Sequence, residues 1–100
     1  MIKRVSVVGI GLAAALLATA APAVAAAGIF EYSTPGGVAE TLLNPTDHAC
    51  YNIDASGPAT NRTNRDAVAY TGQNCEGGSV TVHPNEQNPN LTARSVRFTR

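Results

Sequence analysis

Few side chains in this 100-residue sequence can do covalent or acid–base chemistry: Cys50 and Cys75, His48 and His83, and seven acids. The two cysteines lack the CxxC spacing of a redox or metal pair, and His48 beside Cys50 is one ligand next to another without a full set. With no third thiol to compete, Cys50 and Cys75 are expected to form a disulfide, as in chains that mature in an oxidising compartment. Such a bond removes both thiols as nucleophiles. Asp47 and His48 are adjacent, and neighbours on a strand point to opposite faces, so they are poorly placed to act as a pair. His83 stands before Pro84 at the end of an apolar stretch, and no serine lies in a nucleophile elbow. The sequence therefore assigns no catalytic residue, no metal ligand and no cofactor, and the protein is expected not to be an enzyme.

An oxidising compartment agrees with the start of the chain. Lys3 and Arg4 precede an uncharged apolar stretch over residues 5–18, and Pro22 then leads into small residues. That order is the pattern of a general secretory signal peptide. Small residues three and one before a cut occur at Ala23 and Ala25 and again at Ala25 and Ala27, and the preferred cut is after Ala27, giving a signal over residues 1–27 and a secreted remainder over 28–100. After cleavage no membrane segment is expected.

Removing the signal changes the composition. Twenty of the 44 apolar residues lie in residues 1–27, which leaves a lean set for a packed core. Five arginines then face seven acids, a net charge of −2. Nucleic acid is not an expected partner, because phosphate binding needs a basic stripe and none is present. A core this small gains little more from burial than ordering costs it, so a covalent staple matters.

Positioning Cys50 and Cys75 falls to short apolar segments separated by turn residues. Residues 29–33, 38–43, 48–53, 67–70, 79–83 and 95–99 are expected strands. Turn chemistry separates them at Pro35-Gly36-Gly37, Asn44-Pro45-Thr46-Asp47, Ser56-Gly57-Pro58, Thr71-Gly72-Gln73-Asn74, Glu76-Gly77-Gly78 and Pro84-Asn85. Val80 and Val82, like Val96 and Phe98, alternate with polar residues, the mark of strands with one wet face. An all-β, single-domain antiparallel sandwich or barrel follows.

Within that pattern FEYSTPGG (residues 30–37) and YTGQNCEG (residues 70–77) each place an aromatic seven positions before a glycine, 40 residues apart. Phe30 with Gly37, and Tyr70 with Gly77, together with Ser95 in SVRF, resemble the βγ-crystallin Greek-key motif. In that family an aromatic, six residues and a glycine form a folded hairpin, over which a serine of the fourth strand packs. The resemblance implies a Greek-key β-sandwich with a first motif over about residues 29–64 and a second over about 67–100. Ser95 is the second motif's serine, whereas the first motif offers Ser56, Thr60 and Thr63. Pro35 and Cys75 stand where the family carries an inner aromatic.

The resemblance also bounds function. Many microbial members bind calcium through two Asn or Asp, two variable positions, then Ser or Thr and Ser. Here Asn90-Leu91-Thr92-Ala93-Arg94-Ser95 puts Leu91 and Arg94 at two ligand positions, so weak or no calcium binding is expected. Asp54 with Ser56 and Asp66 with Asn64 offer oxygens that suit solvated turns. Small actinobacterial metalloprotease inhibitors resemble the same fold, and residues 84–90 are the longest polar insert available to such an inhibitor. The expected function is a secreted, non-catalytic binding or structural protein whose partner is an extracellular protein or a cell-wall component; the alternatives are a peptidase inhibitor acting on a secreted protease and a calcium-binding domain.

Overall fold

A computed structural model describes residues 25–100. The expected signal falls mostly on residues 1–24, outside the described residues. Six strands and one short helical turn account for most of the described residues: β1 (Gly28–Ser33), β2 (Ala39–Leu43), β3 (Cys50–Thr63), β4 (Asp66–Tyr70), the 3-10 turn Gln73–Cys75, β5 (Ser79–Val82) and β6 (Gln87–Thr99). All pairings between these strands are antiparallel, in the order β2-β1-β3-β6-β4-β5.

One expected turn and the second half of the 84–90 polar insert lie inside strands. Ser56-Gly57-Pro58 belongs to the 14-residue β3, and the stretch from Gln87 to Asn90 opens the 13-residue β6. Proline lacks the ladder donor and is tolerated in a strand at an irregularity. Pro58 and Pro89 satisfy this together: Gly57 pairs with Leu91 and Ala59 with Asn88, so one extra residue enters β6 across that interval, and both prolines fall within it. A second shift, between the Asn52–Ser95 and Ala55–Ala93 pairs, adds a residue to β3. Bulges bend strands and increase their twist.

These bends fold the sheet over itself. Phe30 pairs with Asn61 at one end of β3, while Phe98 follows Arg97, which pairs with Cys50 at the other end. On a flat sheet roughly 40 Å would separate the two levels, at ~3.3 Å per residue. Instead the Phe30 and Phe98 ring centroids are 5.5 Å apart, edge to face. The result is a β-sandwich in which each long strand crosses from one layer to the other. β1 and β2 lie beside the second half of β3, β4 and β5 beside the second half of β6, and each layer is completed by the first half of the other long strand.

Between the layers lie Phe30, Phe98, Leu91, Val82 and Val96, with Ala55, Ala59, Ala67, Ala69 and Ala93 filling the narrow places. Tyr32, Leu42, Tyr51 and Ile53 close the rim. Burying a side chain as large as phenylalanine contributes about 1.5–3 kcal/mol, so the Phe30–Phe98 pair is a large share of so small a core. One wholly buried polar residue, Asn61, ties three elements together. Its amide donates to the carbonyls of Arg65 and Val82, each at 2.7 Å, and its Oδ1 accepts from the Thr63 amide and hydroxyl. Asn61 opens one of two Asn-x-Thr sequons, and with both amide hydrogens engaged and no exposure it offers nothing to a glycosylating enzyme in the folded state. The loop before β3 is held by a partly buried ion pair, Arg65 Nε to Asp47 Oδ2 at 3.0 Å, and by the Thr46 amide donating to the Tyr51 hydroxyl at 2.8 Å.

Candidate functional site

β4 and β5 are not joined by a tight turn. Tyr70 pairs with Ser79, so residues 71–78 fold back as a loop over the end of the sandwich. The loop first closes on itself: the Thr71 amide donates to the Gly78 carbonyl, the Gly72 amide to the Glu76 carbonyl, both at 2.9 Å, and the Gly78 amide to the Thr71 hydroxyl at 3.1 Å. Inside it Asn74 and Cys75 have φ of 60° and 57°. Asparagine tolerates this left-handed region, but a residue such as cysteine is held there at a cost of roughly 1–2 kcal/mol. External attachments offset that cost.

Three attachments pin the loop. The Ser95 hydroxyl, buried on β6, accepts from the Cys75 amide at 2.8 Å and donates to the Gly72 carbonyl at 2.6 Å, joining both sides of the bend. Asn52 on β3 exchanges hydrogen bonds with Asn74: its Oδ1 accepts from the Asn74 amide at 2.8 Å, and its Nδ2 donates to the Asn74 Oδ1 at 3.2 Å. Cys75 is bonded to Cys50 at the start of β3, with Cα atoms 6.0 Å apart. Gly77 completes the bend with φ of 89°, and a Cβ there would stand 2.6 Å from Thr71 Oγ1 and 3.4 Å from the Gly72 nitrogen. No other residue fits that position without displacing the loop.

The loop's outward side carries Gln73, Asn74 and Glu76, all exposed. Amides and a carboxylate on a fixed backbone can recognise a partner by hydrogen bonds and charge. They include no nucleophile, and among the described residues no three His, Cys, Asp or Glu side chains come together as a metal site.

The first hairpin differs. β1 and β2 are joined by residues 34–38, closed by Thr34 N–H to the Val38 carbonyl at 2.9 Å and Gly37 N–H to the Thr34 carbonyl at 2.8 Å. Gly37 has φ of 82°, yet a Cβ there meets nothing within 4 Å, because the turn is too short to fold back. The residue pairing with Tyr32 at the end of this hairpin is Ala59, where the second hairpin has Ser95 opposite Tyr70. None of Ser56, Thr60 or Thr63 therefore acts as Ser95 does; Thr63 bonds Asn61 and the turn after β3. Phe30 and Tyr70 also differ in role: Phe30 lies in the core, whereas Ala67 and Ala69 take the inward positions of β4 and Tyr70 faces away. The aromatic-to-glycine spacing recurs in sequence without placing equivalent aromatics.

Other candidate groups are dispersed. The Asn90 to Ser95 stretch lies within β6, with Leu91, Ala93 and Ser95 buried and Asn90, Thr92 and Arg94 exposed, so its oxygens face opposite sides. The 84–90 insert shrinks to a tight turn, in which the Glu86 amide donates to the His83 carbonyl at 3.0 Å. Asp47 is taken up by Arg65, and His48 lies exposed in the loop before β3. His83 Nδ1 lies 3.1 Å from Asp66 Oδ1. Its pKa is raised, chiefly by that hydrogen bond, with the Asp66 and Glu86 charges adding and desolvation opposing. The Tyr32 hydroxyl is pushed up by burial and by Glu40 and Asp54. Asn52 and Asn74 were not singled out in the sequence; Asn74 carried a weak turn signal, and Asn52, in mid-strand, carried none.

The disulfide indicates an oxidising setting. Among the described residues no helix is long and apolar enough to cross a membrane. No family model matches the chain, and no curated protein and no solved structure is similar to it at a significant level.

Proposed function

We propose that this protein is a secreted, non-catalytic binding or structural protein of βγ-crystallin-like build, and that it engages its extracellular partner through the loop of residues 71–78. The observation that carries this reading is the Ser95 hydroxyl bridging the Cys75 amide and the Gly72 carbonyl, at 2.8 and 2.6 Å. A serine of the last strand holding a folded hairpin is the feature by which the sequence resembled that family, and the two hairpin-plus-long-strand halves sharing both layers support the same reading. Clamping three ways to one polar loop exceeds what a connection requires, and a fixed loop gives up less freedom on binding. A cell-wall polymer or an extracellular protein both offer the donors and acceptors that Gln73, Asn74 and Glu76 would meet.

The test is capture from culture medium with the disulfide-bonded protein as bait, beside a Gln73→Ala, Glu76→Ala variant that keeps the clamp. A partner retained by the native protein and lost at least in large part by the variant supports the proposal, and equal capture by both refutes the loop's role. The second reading, peptidase inhibition, draws on the same disulfide-held loop, which an inhibitor would need to be rigid. Its left-handed backbone at Asn74 and Cys75 would enter a cleft as a knob rather than as an extended strand. Loss of zinc-protease activity on adding the protein in equimolar amount would favour it.

A further inference from the structure

We infer that, given the secretion reading above, the signal is removed on the N-terminal side of Ala26, at the Ala25–Ala26 bond, and not after Ala27 as the small-residue spacing alone prefers. Both bonds satisfy the spacing, with Ala23 and Ala25 before one and Ala25 and Ala27 before the other. The fold separates them. Ala26 is wholly buried, and its amide donates to the carbonyl of buried Pro45 at 2.8 Å. Ala27 exchanges two hydrogen bonds with Asn64: its amide donates to Asn64 Oδ1 at 2.9 Å, and its carbonyl accepts from the Asn64 amide at 3.2 Å. These contacts join the chain ahead of β1 to the loop before β3 and to the β3–β4 turn, next to the partly buried Arg65–Asp47 pair.

A cut after Ala27 would remove the buried Ala26 methyl and leave the Pro45 carbonyl, the Asn64 amide and Asn64 Oδ1 without these partners. A cut before Ala26 spares all of them, at the loss of the isolated bridge between Ala25 and Thr46. In that step water adds across the Ala25–Ala26 peptide bond under the host's signal peptidase; Ala25 leaves as a carboxylate and the nitrogen stays on Ala26 as an ammonium. One ammonium hydrogen keeps the Pro45 carbonyl.

The experiment expresses the full chain in a secreting host and determines the first residue of the secreted product by N-terminal sequencing and intact mass. The expected product starts at Ala26 and is heavier by two alanines than one starting at Gly28. Two full-length variants separate the bonds: Ala27→Leu blocks only the later cut, at an exposed position, and is expected to be secreted with the same Ala26 start; Ala23→Leu blocks the earlier cut and is expected to shift or abolish processing. A native product starting at Gly28, or Ala27→Leu accumulating as uncut precursor, would overturn the inference. A native product still starting at Met1 would overturn the secretion reading itself, so the two failures are distinct.

Discussion

Replacing Ser95 by alanine removes one hydroxyl and leaves two backbone groups, the Cys75 amide and the Gly72 carbonyl, without their partners. An unsatisfied buried polar group costs ~1–3 kcal/mol, and the intermediate burial of Gly72 and Cys75 lets water recover part of it, so a total of ~2 kcal/mol is expected. For a domain of this size each kcal/mol moves the melting temperature by ~4–8 °C, which makes the expected drop on the order of 10 °C. Thermal unfolding followed by circular dichroism, with the disulfide intact, measures it. Ser79→Ala, at an exposed position where the loop rejoins β5, is the control and should stay within the ~0.5 kcal/mol of an ordinary surface change. A Ser95→Ala shift no larger than that of the control would refute the idea that this hydroxyl clamps the loop.

Three further outcomes follow from the same geometry. Gly77→Val should destabilise well beyond Gly37→Val, because both glycines have positive φ but only the first meets Thr71 within 2.6 Å; equal costs in urea unfolding would contradict the difference between the hairpins. Replacing Cys50 and Cys75 together by serine opens a 25-residue loop and should lower stability by about 3.5 kcal/mol on the chain-entropy model, and a loss under about 1 kcal/mol would contradict the disulfide's role as a staple. The raised pKa of His83 means that its pairing with Asp66 is fully present below the unfolded value of 6.5 and lost as pH rises through the higher folded value. Melting temperature should therefore fall slightly as pH rises from below 6.5 through the higher folded value, and His83→Gln should remove that part of the slope; an unchanged slope would contradict the ion pair.

How far the fold could be read ahead of the coordinates depended on whether a signal was local. The alternation at Val96 with Phe98 located the end of β6, because period-two burial is written in neighbouring residues; Val80 with Val82 located β5, but there only Val82 is buried and Val80 stays exposed. Gly57-Pro58 and the stretch from Pro89 to Asn90 misled for the converse reason: turn composition is also what a bulge requires, and only the pairing of β3 with β6 brings the two prolines into one interval. Ser95 lies at a buried position of β6, and its two bonds to the loop depend on contacts 20 and 23 residues away. Asn52 was not legible, because its role depends on Asn74, 22 residues away, arriving in a left-handed conformation. The matched spacing of Phe30 with Gly37 and Tyr70 with Gly77 hid a change of face that one-dimensional alignment does not register.

Amide hydrogen exchange on the disulfide-bonded protein addresses the central claim most directly, namely that residues 71–78 are a fixed part of the frame. The Asn74 and Cys75 amides, bonded to Asn52 and Ser95, should exchange as slowly as the amides of β4, and far more slowly than exposed amides without such partners. Ser95→Ala should release the Cys75 amide while leaving β4 protected. Fast exchange at Asn74 and Cys75 in the native protein would show the loop to be an ordinary mobile connection and would remove the basis for assigning it a binding role.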